Sequence, residues 1–490
     1  MIRTLRLVSA SIVAPAVIMP ATAQLIQPLP MPAASTKAEA EAEPLTLDDV
    51  LRASARAAPQ IVEALAKVRA AEGRAITANG AFDTVFEAEG RSRALGYYDG
   101  TVASASASRP LGNNGGYVYG GYRVSRGTFP VYEDQNYTNR LGEVKVGALY
   151  ALLRDRLIDE RRTRRTLASG DIDIARFERE AVAIGVQRRA IDAYQTWVAA
   201  GLRLRAYRDL LALSESRRGG LARQVHLGAR ADILLTENDQ NLARRRALVV
   251  RAEGDFQAAA NALSLYFRDA AGDPVIVGPE RLPAGSEALA GVTAIARANF
   301  EQRRPDLHVL LARIDQGTAR IAVARNDLRP RLDLRGEIGK DVGSVGLGGA
   351  SRTPLETAIG FRFSLPLQNR AAKGKLVEAR AEMDALTARS RFLRDQIVVE
   401  VEGISINVSA AEKLATIAEQ ERQLAERLAA AERRRFELGS SDFFLVNQRE
   451  ETANDARVRL IDAQARIAAA RAELAAATAD RRALGLAPEP

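Results

Sequence analysis

Along most of this 490-residue chain apolar positions recur at helical spacing, and in two separate stretches the spacing tightens to every second residue. Phe177, Ile184, Ile191 and Val198 lie seven apart, and so do Ala190, Trp197 and Leu204. Two such seams predict one helix with neighbours on two sides. Ile397, Ile404, Ala411 and Ala418 repeat the pattern further on. A mostly helical run from Arg156 to Gly228 would be about 100 Å long at its rise per residue. Long packed helices, rather than a globular core, are expected to carry this part of the fold.

Period-two segments predict strands with one wet and one apolar face. Val85, Glu87, Glu89 and Arg91 alternate with Phe86, Ala88 and Gly90, and Val144, Val146, Ala148 and Tyr150 form a return strand. Later, Arg331, Asp333, Arg335 and Glu337 alternate with Leu332, Leu334, Gly336 and Ile338, while Ile359, Phe361 and Phe363 bracket Gly360 and Arg362. The first segment holds an additional hairpin, Val102 to Pro110 returning through Gly112-Asn113-Asn114-Gly115-Gly116 to Tyr117-Val118-Tyr119. Eight of the eleven Tyr fall between Tyr97 and Tyr150, which suits a rim of amphipathic rings at a membrane interface.

The helices and strands belong to a tandem repeat. Leu227-Gly228-Ala229-Arg230-Ala231-Asp232 matches Leu438-Gly439-Ser440-Ser441-Asp442, with Gly228 and Gly439 at an offset of 211 and the two Asp at 210. Pro59-Gln60-Ile61 corresponds to Pro305-Asp306-Leu307 at an offset of 246, and the first copy is longer by 32 residues in its strand region. Each Gly stands where a helix would end in a left-handed residue, and Asp232 and Asp442 stand where the next helix would be N-capped.

The amino terminus changes the compartment. Arg3 and Arg6 precede an apolar run from Leu7 to Met19, followed by Ala21-Thr22-Ala23, the pattern of a secretory signal over residues 1–23. Pro-rich and Ala-Glu-rich residues 24–45 form a flexible leader, and order is expected from Thr46, where Thr46-Leu47-Asp48-Asp49 fits a capping box. The first repeat then covers 46–270, with strands at about 83–152 and a helical turn at 228–232. A connecting loop spans 271–289, the second repeat 290–484 with strands at about 331–366 and a turn at 439–442, and a tail 485–490.

Composition excludes more than it assigns. There is no Cys, so disulfides, thiolate metal sites and a Cys nucleophile are ruled out. The net charge of +9 is mild and interspersed, unlike a nucleic-acid footprint. His226 and His308 are the two His, too few for a zinc site or a His-based triad, and Gly346-Leu347-Gly348-Gly349 lacks the Lys-Ser/Thr of a phosphate loop. Neither an enzyme nor a cofactor is indicated. Strands with one charged and one apolar face can span a bilayer only in a closed barrel. Four strands, or six with the additional hairpin, are too few for one chain to close. Several chains would have to share the barrel; one-sided soluble sheets are the competing arrangement.

In this order the motifs resemble the TolC-type outer-membrane efflux and secretion channel family. The resemblance rests on Leu47-Asp48-Asp49-Val50-Leu51 with Pro59, on Arg303-Arg304-Pro305-Asp306-Leu307, on Ala324 to Pro330 before a strand, on Ser364-Leu365-Pro366-Leu367 after one, and on the twin turns. Leu152 and Phe82-Asp83-Thr84 depart from the family pattern. The resemblance implies a mainly α fold with a β membrane part: a long α-helical barrel built from tandem repeats, and a transmembrane β-barrel shared between three chains, four strands from each. It implies an outer-membrane channel subunit of a Gram-negative cell, extending into the periplasm as a passive exit duct for a tripartite efflux or type I secretion system. Its partners would be two further copies, a periplasmic adaptor, an inner-membrane transporter and outer-membrane lipid. Leu227, Gly228, Asp232, Leu438, Gly439 and Asp442 would then form the tips where adaptors dock. Glu237 and Gln448 would line the entrance, the second copy lacking a carboxylate among residues 445–448. The alternatives are a periplasmic adaptor or coiled-coil scaffold, and an exported hydrolase for which no nucleophile or metal constellation is present. The identity of the cargo and of the pump is not encoded in any of these motifs.

Overall fold

Helix α1 (Leu47–Ala57) starts where its first four residues satisfy their own backbone: the Thr46 hydroxyl accepts from the Asp49 N–H, and the Asp49 carboxylate reaches back to the Thr46 N–H. The computed structural model describes residues 43–285 and 299–486. The signal segment and nearly all of the leader fall outside the described residues, as do parts of the connecting loop and tail. A trans Ala58 bend leads into α2 (Pro59–Gly80), whose Pro occupies the first helical position. Four strands follow: β1 (Val85–Ser92), β2 (Thr101–Pro110), β3 (Tyr117–Arg126) and β4 (Glu143–Ala151). The chain then enters α3 (Glu160–His226), turns into α4 (Ile233–Leu263), and repeats the order with α5 (Pro305–Asp327), β5 (Arg331–Asp341), β6 (Glu356–Ser364), α6 (Arg370–Glu437) and α7 (Phe443–Ala477).

The six strands form one antiparallel meander in the order β1-β2-β3-β4-β5-β6. Its register keeps the two faces apart. Phe86 lies opposite Ala107, Ala105 opposite Tyr122, Tyr122 opposite Val144, Val146 opposite Ile338, and Leu334 opposite Phe361, giving one continuous apolar face. The other face carries Glu87, Glu89, Ser106, Arg123, Lys145, Glu337 and Arg362. On it Arg123 meets Glu143 at 2.6 Å and Lys145 meets Glu337 at 3.6 Å. No described helix packs across either face. The strand Tyr divide between the faces: Tyr122 and Tyr150 lie on the apolar face, and Tyr117 and Tyr119 on the charged one.

Both heptad seams of α3 are used. Ile184, Ile191, Val198, Ala190, Trp197 and Leu204 are all buried. They meet α1, α4 and the end of α7 in a belt that also buries Phe256, Leu263, Ala472 and Leu484. Two of the polar groups inside it are paired: the Tyr194 hydroxyl donates to the Leu45 carbonyl, and the Gln187 amide joins Leu51 to Ser54. This belt is a compact core half-way along a helix of 67 residues, so helix pairing alone does not carry the fold as expected. Leu45, the last residue assigned to the leader, is fully buried in it.

The Arg303-Arg304-Pro305-Asp306-Leu307 motif acquires a structural reason. Arg304 grips Asp306 through two hydrogen bonds of 3.0 and 2.8 Å, reaches Glu400, and donates to the Ala477 carbonyl at the end of α7. A cation there meets the unpaired carbonyl end of the helix. Burial pushes the Asp306 carboxyl up, but the Arg304 hydrogen bonds and charge outweigh it and hold it below the usual carboxylate range. Because the folded value is depressed, the clamp is at full strength above the ordinary carboxylate pKa and is lost as pH falls through the lowered one. Melting temperatures measured from neutral to acid pH should therefore fall less steeply at the acid end in Asp306→Asn than in the parent chain, with the variant already weaker at neutral pH.

Candidate entrance site at the helical turns

Both turns that end the long helices use the same stereochemistry. At the end of α3 the Gly228 N–H donates to the Val225 carbonyl and the Ala229 N–H to the Gln224 carbonyl, each at 2.9 Å, with Gly228 at φ +71°. At the end of α6 the Gly439 N–H donates to Phe436 and the Ser440 N–H to Arg435, with Gly439 at φ +78°. This paired bonding satisfies the last carbonyls and requires a left-handed residue, which Gly adopts without steric cost. Leu227 is 80 % and Leu438 78 % exposed, and Ile233 and Phe444 are exposed beside them.

The helices after the turns begin differently. Asp442 has extended backbone, and its carboxylate accepts from the Phe444 and Leu445 N–H groups at 2.6 and 3.3 Å. It is an N-cap as expected. Asp232 is not: at φ −61° and ψ −29° it is already helical and makes no capping bond. The first turn is one residue longer between Gly and Asp, which takes Asp232 into the helix, where its side chain can no longer fold back over the first N–H groups.

Of the two entrance candidates, Glu237 is half-buried without a hydrogen bond or ion pair among the described residues, and Gln448 is exposed. The carboxylate that matters lies two residues further on. Glu450, with its side chain 2 % exposed, accepts from Arg217 at 2.5 Å and from Arg433 at 3.3 Å, and stands 3.8 Å from the buried Arg245. Arg217 also donates to Asn447, and Arg245 to the Leu210 carbonyl. One cluster thus draws α3, α4, α6 and α7 together. Burial lowers the Arg245 pKa from its ordinary value, with Glu450 and Glu451 opposing the shift. The equivalent position in the first repeat, at the same offset of 211, is Asp239, which pairs with Arg218 at the surface through bonds of 2.6 and 3.0 Å. That offset was the available sign of Glu450.

The two turns also touch. Arg230 of the first lies 5.5 Å over the Phe436 ring, which packs against Phe443 at 6.1 Å between centroids, and Arg217 lies 5.9 Å over Phe443. Elsewhere the chemistry is sparse. A cleft of about 1180 Å³ between the sheet and the helices is lined by mixed charges, among them Arg154, Arg164, Arg320, Asp327 and Glu382. His308 packs edge-on against Phe177, and among the described residues no group of His, Asp and Glu is placed to hold a metal. No described helix is long and apolar enough to cross a membrane.

Residues 297–480, containing α5, β5, β6, α6 and α7, match the model of the outer membrane efflux protein family. Over this stretch the chain is similar to that family. This is a family of channels rather than enzymes. A likeness in fold to solved structures extends beyond the matched residues. The Campylobacter jejuni CmeC outer membrane channel superposes with a TM-score of 0.60 at 14% identity, over 88% of this chain and 85% of that one. The outer membrane protein VceC of Vibrio cholerae gives 0.60 at 17% identity, over 90% and 97%. The open state of the Neisseria gonorrhoeae MtrE outer membrane channel gives 0.60 at 16%, over 90% and 89%. A comparison with curated proteins finds no match.

The asymmetry between the two helical turns is measurable. Asp442→Ala should cost about 1 kcal/mol of local stability through the lost cap, whereas Asp232→Ala should be nearly neutral. Glu450→Ala, which leaves Arg217 and Arg245 buried without their carboxylate, should cost about 3–5 kcal/mol. Amide hydrogen exchange over residues 443–447 and 233–237 reads all three; equal acceleration by the two Asp variants would contradict the assignment.

Proposed function

We propose that the chain is one of three identical subunits of an outer-membrane channel that extends through the periplasm as a passive exit duct. The carrying observation is the sheet: six strands with a continuous exposed apolar face, a charged opposite face, and no described helix covering either. A soluble one-sided sheet would bury its apolar face against another layer. Here Phe86, Val146, Ile338, Ile359 and Phe361 all remain exposed on one side.

A second observation supports assembly with copies of itself. Besides the residues that α6 buries against α5 and α7, it exposes Phe392, Val399 and Ile406 at heptad spacing, then Ile417 and Leu424 at the same spacing. A second seam with no partner among the described residues fits a helix of a neighbouring copy. The likeness to outer membrane channels agrees with both. In this reading the exposed Leu227, Ile233, Leu438 and Phe444 at the turns are docking points for a periplasmic adaptor, which connects the duct to an inner-membrane transporter. Energy is spent at the inner membrane, and this subunit contributes a path. Adaptor or scaffold function is disfavoured by the uncovered apolar face.

Expression with residues 1–45 intact should place the protein in the membrane fraction, resistant to carbonate and released by detergent as a threefold particle that conducts in planar bilayers. Recovery as a soluble periplasmic monomer would overturn the proposal.

A further inference from the structure

We propose that the membrane barrel of this protein has eighteen strands, six from each of three chains, rather than the twelve that four strands per chain would make. The proposal rests on the channel reading above and adds a commitment about how its sheet closes. Its source is the β2–β3 hairpin, which lies between β1 and β4 in the sheet rather than outside it.

Four observations integrate the hairpin with the membrane part. Length is the first: β2 and β3 have 10 residues each, against 8, 9, 11 and 9 in the other four strands. At the usual rise and tilt, ten residues span roughly 25 Å, the height of an apolar barrel band. Facing is the second. Ala103, Ala105 and Ala107 with Val118, Gly120, Tyr122 and Val124 continue the apolar face, and Ser104, Ser106, Ser108, Tyr119 and Arg123 continue the polar one.

The third observation ties the polar face across three strands. Tyr119 on β3 crosses β4 to donate to Glu337 on β5 at 2.7 Å. It passes over Gly147, where any Cβ would lie about 2.5 Å from the Tyr119 ring. The fourth is the turn joining β2 to β3. Asn114, fully buried, accepts from the Ala151 N–H at 2.8 Å and donates to the Ala151 carbonyl at 2.9 Å, and the Gly115 N–H donates to the Asp155 carbonyl. The turn is thereby fastened at the helical end of the sheet, which fixes the hairpin at the same height as its neighbours.

Closure follows from the edges. β1 and β6 each pair on one side within the chain, and every residue of both is exposed. They run in opposite directions, so β6 of one copy meets β1 of the next as another antiparallel pair. The meeting strands match by face, with Phe361 and Phe363 joining Phe86 outward, and Arg362 joining Glu87 and Glu89 inward. At a strand spacing of about 4.8 Å and a tilt of about 40°, eighteen strands give a backbone diameter of about 36 Å, and twelve give about 24 Å.

Electron cryomicroscopy of the full chain in nanodiscs tests this directly. A threefold barrel about 36 Å across with eighteen resolved strands supports it. A threefold barrel about 24 Å across, with the hairpin outside, overturns it while leaving the channel reading intact; a soluble monomer overturns both. The absence of Cys permits an independent measurement with spin labels at Ala105→Cys and Ser106→Cys. Dissolved oxygen should relax the first label preferentially and a water-soluble nickel chelate the second. Equal access of the chelate to both would show the hairpin in water and overturn the proposal. Gly147→Val, by displacing Tyr119, should disturb strands β3 to β5 in the same maps and leave the helical turns unchanged.

Discussion

The constraint on which the rest depends is the demand for backbone partners at the two edges of the sheet. In water the free N–H and C=O groups of β1 and β6 would be solvated at little cost. In hydrocarbon each unmet group costs several kcal/mol, so the edges must be paired. The chain cannot pair them with each other, because six strands are too few to close. In the proposed channel other copies supply the partners, and the same copies bring their helices alongside. The exposed seam of α6 is the counterpart of the open sheet edges, expressed in side chains instead of backbone.

The two ends of the molecule meet opposite requirements. At the sheet the network is backbone bonding and admits no loosening. At the helical turns the contacts are ion pairs and cation–π contacts between side chains, centred on Glu450 and on the Phe436–Phe443 pair. Such contacts can be exchanged for others at small net cost, because a buried ion pair contributes little overall once desolvation is counted. The first turn has no side-chain cap at Asp232, unlike the second at Asp442. If the turns form the entrance of the proposed duct, an end built from exchangeable contacts suits a change of width better than a continuous ladder would.

What was legible in the sequence was what depends on period and on special backbone geometry. Alternation at Arg331 to Ile338 and the positive φ of Gly228 and Gly439 are local demands, and local demands leave local marks. The Thr46 capping box was legible for the same reason. The Asp232 cap failed because one residue of turn length decides whether that backbone is extended or helical, and composition does not report it. Glu450 was missed because its ion pair joins residues more than two hundred positions apart, Arg217 with Glu450, and the heptads that marked Trp197 as a seam residue do not name its partners. The hairpin was visible as strands, but whether it lay within the sheet or beyond it depended on the Asn114 and Tyr119 contacts.

A hairpin is the smallest insertion that this architecture accepts without disturbing its other end. One added strand would reverse the direction in which the chain leaves the sheet and would place parallel strands at the closure; two restore both. The insertion also changes how the sheet meets the helices. Beside the sheet each chain offers four helices, α2, α3, α5 and α6, so three chains offer twelve. At packing distances of about 8–10 Å, twelve helices in a ring have a circumference of about 96–120 Å. Twelve tilted strands make a ring of only about 75 Å, whereas eighteen make one of about 113 Å. With the hairpin in place, the sheet and the helices that continue it can share one wall without tapering at the join.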